Sequence, residues 1–156
     1  MQTNFDRPQP MREQSEAKLA DCLRGELSAV ETYELALKHV NHVGVHQTLQ
    51  VILDSHARRV ELIRDKMVRA GMEVPKSSGV WGAFAKTVQT GADLLSVTTA
   101  VAALEAGEDR GLRMYTTDLD GLEQDTGSFI SGTLLPEQQR THELCRSLKI
   151  YLNQPS

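Results

Sequence analysis

The stretch LRGELSAVETYELAL, residues 23–37, decides how this chain folds. Read with helical spacing, Leu19, Leu23, Val30, Tyr33 and Leu37 fall on one face, the pattern of an amphipathic helix laid against a core. Glu26 stands in the middle of that face. An unpaired carboxylate buried there costs several kcal/mol, so the helix must bring Glu26 to a partner inside the protein.

The rest of the chain supports a helical reading. Ala, Leu, Glu, Gln and Arg dominate, aromatics make up only 4%, and the five prolines mostly fall outside the periodic segments. At 156 residues and 40% hydrophobic content, the chain suits one domain with a buried core. The net charge of −4 and the lack of a basic cluster argue against nucleic acid as a partner. No apolar run approaches the roughly 20 residues that a membrane span needs. The start of the chain lacks the charged-then-apolar pattern of a signal peptide. Cys22 and Cys145 make no disulfide framework and fit a reducing cytoplasm.

Periodicity divides the chain into an N-terminal tail, residues 1–14 with Pro8 and Pro10, and a helical domain over residues 15–152. A first helix is predicted from Ser15 to His42, closed by Gly44. A second runs from His46 to Ala70, with Leu49, Ile52, Leu53, Val60, Ile63 and Met67 inward, and ends at Gly71 and Pro75. Residues 71–91 read as a long connection with one short helix from Trp81 to Val88. A third helix spans Ala92 to Thr117 and buries Leu94, Val97, Val101, Leu112 and Tyr115, with Leu119 continuing the stripe. A region broken by Gly121, Gly127 and Gly132 leads into a last helix that reaches Leu152; Pro136 either opens that helix or, as the preferred reading, kinks a longer one.

Each long helix of about 25 residues spans roughly 38 Å. A short turn makes the first two helices antiparallel, and the long connection can then travel the length of the bundle before the second pair begins. The predicted fold is all-α: a four-helix bundle in up-down-down-up order, with a long crossover between helices two and three. That is the ferritin-like topology.

Every long helix carries a metal-capable side chain on or beside its apolar face. These are Glu26 on the first, His56 on the second, Glu105 and Glu108 on the third, and His142 on the fourth. There is also an internal echo. Gly25-Glu26 precedes Tyr33 by the same interval that separates Gly107-Glu108 from Tyr115, as though one hairpin occurred twice. A glycine inside a helix costs about 1 kcal/mol against alanine, so the two beside the glutamates point to close helix packing there.

GELSAVETY, LEAGEDRG, the crossover SSGVWGAF and LLPEQQRTH together resemble the ferritin-like superfamily of di-iron carboxylate proteins, and more closely a bacterial ferritin-like family of unknown function. The resemblance covers about residues 15–152. It implies a metal site in the bundle core, with Glu26 and Glu108 as the lone glutamates and His56 and His142 as the histidines of two Glu-x-x-His pairs. The chain departs from that pattern: Leu53 and Gln139 stand where the two paired glutamates belong, and Glu105 is the one available replacement. With those carboxylates gone, a single metal fits better than two. Iron, manganese or zinc would suit carboxylates and a neutral imidazole. A redox-active site would oxidise ferrous iron or reduce oxygen or peroxide.

A second reading stays open beside the metal. Arg59, at a stripe edge, could neutralise the carboxylates, and Tyr33, Tyr115 and the histidines could close a dry polar network in a protein that kept the fold and lost the metal. Such a protein would be a non-catalytic helical interaction or stress protein. His142 lies at the stripe's edge, roughly 80° from its centre. Cys22 and Cys145 read as core. His39, His42 and His46 read as solvated, and Arg58, Glu61, Arg64 and Asp65 as an exposed face. Trp81 and Phe84 pin the crossover or, alternatively, serve a homodimer interface.

Overall fold

The computed structural model describes residues 9–79 and 96–156. Helix α1 (Gln9–His39) begins six residues before the predicted Ser15. Pro10 falls in its first turn, where a missing N–H has no helical partner to lose, so it does not delay the helix. Residues 1–8 lie outside the described residues, as do Trp81–Val88, the proposed contacts of Trp81 and Phe84, and Leu94.

The first turn is as short as predicted and lies three residues earlier. α1 ends at His39 and α2 (Val43–Arg69) starts four residues later. His42 caps it, its Nδ1 accepting the Val45 N–H at 3.3 Å. Gly44 therefore sits inside the first turn of α2 rather than closing α1. The end of α2 follows the prediction. Gly71 takes a left-handed φ of +68°, with Gly71 N–H on the Val68 carbonyl and Met72 N–H on that of Met67. These two bonds satisfy carbonyls the helix leaves open.

Helix α3 (Val97–Thr116) is capped by Ser96, whose Oγ accepts the Thr99 N–H at 3.4 Å. Only residues 117–123 interrupt the helical path that follows. α4 (Gln124–Phe129) passes through a π turn (Ile130–Leu134) into α5 (Leu135–Leu152), so Gly127 and Gly132 lie within helical structure. In the π turn the Leu135 N–H reaches back five residues to the Ile130 carbonyl. Pro136 follows at once. Its ring crowds the preceding turn of a regular helix, and the widened turn before it accommodates that ring.

The chain is all-helical among the described residues, and its long helices form a bundle. α1 packs on α2 and α3, and α5 packs on α2 and α3. Two apolar clusters fill the interior. One gathers Leu19, Leu23, Ile63, Met67, Ile130 and Leu134; the other gathers Leu49, Ile52, Val101, Leu104, Cys145 and Leu148. Full burial of such aliphatic side chains stabilises by about 1.5–3 kcal/mol each, so these clusters supply the main driving force for folding. Between them lies a layer that is polar and charged. No helix among the described residues is long and apolar enough to cross a membrane.

Candidate functional site

The buried layer is built from two side chains of each long helix. α1 contributes Glu26 and Tyr33, α2 His56 and Arg59, α3 Glu108 and Tyr115, and α5 Gln138 and Thr141; all eight are buried. On α1 and α3 the pair is spaced by seven residues, two helical turns, so both members share a face. On α2 and α5 the spacing is three, one turn, with the same result.

Tyr33 donates its hydroxyl hydrogen to Glu108 Oε1 at 2.7 Å, and Tyr115 donates to Glu26 Oε1 at 2.5 Å. The tyrosine of each helix thus serves the glutamate of the other, as antiparallel packing of two Glu-x6-Tyr segments requires. Between the glutamates stands the His56 ring, with Nδ1 2.5 Å from Glu26 Oε2 and Nε2 2.8 Å from Glu108 Oε1. A neutral ring would turn a lone pair toward one of these carboxylates. An imidazolium donates to both, with the Arg59 Nη2 donor pressed 2.9 Å from the same Nδ1.

Burial opposes charge on His56. Glu26 and then Glu108 outweigh it, against Arg59, and raise the His56 pKa above the ordinary histidine value. The Tyr33 ring stacks on the imidazole with centroids 5.3 Å apart. Arg59 Nη1 lies 2.9 Å from Glu26 Oε1 and also bonds Gln138 Oε1; its Nη2 donates to Thr141 Oγ1 at 3.2 Å. Gln138 Nε2 donates to Glu108 Oε2 at 2.8 Å, and Thr141 to the same oxygen at 2.9 Å.

Every carboxylate oxygen of the pair is therefore engaged. Glu26 and Glu108 carry two negative charges, which Arg59 and a protonated His56 together balance. Burial pushes both carboxyl pKa values up, but Arg59 and His56 for Glu26, and His56 with Tyr33 for Glu108, hold them below the usual range. Both tyrosines are held well above the usual phenol range by burial and by the carboxylates they face. No buried side-chain nitrogen or oxygen among the described residues lacks a partner.

Of the five residues predicted to meet in the core, Glu26, His56 and Glu108 do. Glu105 does not: one turn before Glu108 and rotated off its face, it pairs with Lys149 at the bundle edge. His142 does not either. It follows Thr141 by one residue, about 100° around the helix, and its Nε2 meets Asp109 Oδ1 at 2.6 Å on the outside of α3 and α5.

Gln138 and Thr141 are the members of the buried layer that ligand chemistry overlooks, because neither is a favoured metal ligand. A constant repeat offset locates them. The interval of 82 residues that takes Glu26 to Glu108 and Tyr33 to Tyr115 also takes His56 to Gln138 and Arg59 to Thr141. His142 sits 34 residues beyond Glu108, whereas His56 sits 30 beyond Glu26. Cys22 and Cys145 are buried free thiols, each pushed up to about 12 chiefly by burial, and are inert packing residues.

Glycines let the helices close over this layer. A Cβ on Gly25 would stand 2.8 Å from Met114 Cε, and one on Gly111 would collide with the Gln138 amide. A cavity of about 50 Å³ remains, lined by Gly25, Ala29, Gly107 and Gly111 together with Tyr33, His56 and Glu108.

The donor set does not fit a metal as it stands. A divalent ion would have to displace both the Arg59 guanidinium and the proton on His56. Among the described residues, no three His, Cys, Asp or Glu side chains are placed to hold one. Searches of family models, of curated proteins and of solved structures find no match to this chain.

Proposed function

We propose that this chain is a ferritin-like four-helix bundle that closes its centre with its own charges in place of a metal, and that it acts as a non-catalytic helical protein of the interaction or stress-related class. The observation that carries this reading is the saturation of Glu26 and Glu108 by Arg59, His56, two tyrosines, Gln138 and Thr141.

Helix order supports the topology. Contacts pair Arg12 with Ala70 and Tyr33 with His56 along α1 and α2, Tyr33 with Glu108 and Lys18 with Thr117 along α1 and α3, and Ser55 with Glu137 and Lys66 with Asp125 on α2 and the last helical stretch. In each pair the numbering ascends on one element and descends on the other. α2 and α3 then run the same way, as an up-down-down-up bundle with a crossover along its length requires. The buried thiols support a reducing compartment, the cytoplasm.

Thermal melts test the proposal against the iron-binding alternative. The wild type should melt at the same temperature in chelator and in ferrous iron, manganese or zinc. Glu26→Ala strands the guanidinium and the Tyr115 hydroxyl, and should lose about 3–5 kcal/mol in every condition. A metal-dependent rise in the wild type that Glu26→Ala abolishes would establish a metal site instead.

A further inference from the structure

We infer that Arg59 is the residue that excludes a divalent cation from the bundle centre, and that the same centre without it is a one-metal site. This rests on the metal-free reading above and goes beyond it by assigning the exclusion to one side chain.

The guanidinium fills the space into which the layer's donors converge. It is 1% exposed as a side chain, and it touches Glu26 Oε1, Gln138 Oε1, Thr141 Oγ1 and His56 Nδ1. A carboxylate oxygen, an amide oxygen, a hydroxyl and an imidazole nitrogen are a donor set that manganese, iron, cobalt and zinc accept. Glu108, already on His56 Nε2, supplies the second carboxylate of the layer.

The charges agree with this. One guanidinium and one imidazolium proton together supply the two positive charges that one divalent ion would supply beside a neutral imidazole. Exchanging them leaves the buried layer electrically neutral. Taking away the Arg59 arm alone leaves one uncompensated negative charge beside a vacancy whose neighbours Glu26, His56 and Gln138 also line the cavity. That combination draws a cation.

Cobalt(II) is the probe, because its ligand-field bands appear in the visible when protein nitrogen and oxygen bind it. The full chain is stripped with chelator and titrated at neutral pH, with thermal melts in parallel. The wild type should show no band and no shift. Arg59→Ala should bind one equivalent and melt roughly 5–10 °C higher at a hundredfold excess over Kd. Arg59→Lys keeps the charge and should stay silent.

Adding Glu26→Gln to Arg59→Ala should abolish the band. A folded Arg59→Ala that binds no cobalt overturns the inference while leaving the metal-free reading intact, and so does cobalt binding that survives Glu26→Gln. If Arg59→Ala is unfolded in chelator, recovery of helical circular dichroism on adding cobalt supports the inference, and failure to recover overturns it. A wild type that takes up one cobalt at Glu26 overturns the metal-free reading itself.

Discussion

The first hairpin, α1 with α2, and the second, α3 with the last helix, place polar side chains at equivalent positions and fill them differently. The first carries Glu26, His56 and Arg59; the second carries Glu108, Gln138 and Thr141. Both cations of the buried layer come from one half, which has a charge of +1 when His56 is protonated, and the other half has −1. Neither half satisfies its own polar centre. Gln138 and Thr141 act instead as neutral connectors, each bonding Glu108 of its own hairpin and Arg59 of the other. The apolar clusters above and below can be satisfied by many arrangements of similar volume. The charged layer is more demanding, because each carboxylate oxygen has its own donor and losing one partner leaves a buried charge uncompensated.

The largest expected effect comes from removing the one charge that the second hairpin supplies. Glu108→Ala leaves two buried cations facing one carboxylate and strands Tyr33, Gln138 and Thr141. It should cost about 3–5 kcal/mol by urea denaturation. A loss under 1 kcal/mol would mean that the halves do not depend on each other through this layer.

A second comparison uses two glycines of the second half. Gly111→Ala drives a methyl into the Gln138 amide and should cost about 1–3 kcal/mol. Gly127→Ala meets nothing within 4 Å in α4 and should be neutral or stabilise by up to about 1 kcal/mol. Equal effects at the two positions would break the account of close packing at Gly111.

The crossed tyrosines offer a symmetric test. Tyr33→Phe and Tyr115→Phe each remove one donor from a buried carboxylate, and each should cost about 1–3 kcal/mol. The outer pair sets the lower limit. His142→Ala breaks a bond to a half-exposed Asp109 and should cost under about 1 kcal/mol.

Acidity probes the two halves separately. The folded-state pKa of His56 is raised, so its stabilisation is fully present below the ordinary histidine range and is lost as pH rises through the folded value. The folded-state values of Glu26 and Glu108 are lowered, so their stabilisation is present above the ordinary carboxylate range and is lost as pH falls through the folded values. The urea midpoint should therefore fall at both extremes, with a plateau between. In His56→Gln the alkaline decline should flatten while the acid decline remains. An alkaline decline unchanged in that variant would assign it to another group.

Much of this arrangement is legible in the residues. The 3.6-residue period marks the long helices, and Gly71 marks the end of α2 because a left-handed residue is needed there. Glu26, His56 and Glu108 stand out as charged groups on apolar faces. What escapes is whatever depends on register or on a neutral side chain. Gln138 and Thr141 carry no charge to contradict an apolar stripe, and attention to ligand chemistry moves to the neighbouring His142. Arg59 is legible as a stripe-edge cation, but its two bonds to α5 require the other hairpin to be in place. The π turn adds a residue ahead of Pro136 that periodicity does not reveal, and Pro10 looks like a barrier where the first turn of α1 tolerates it.

The central claim is that His56 is an imidazolium bridging two carboxylates, supplying half of the positive charge of the buried layer. Nitrogen-15 spectra of histidine-labelled protein test it most directly. At neutral pH in chelator, both His56 ring nitrogens should carry protons, with shifts typical of imidazolium, and addition of one equivalent of zinc should leave them unchanged. A neutral single tautomer, or a ring nitrogen whose shift moves to a metal-bound value on adding zinc, would contradict it.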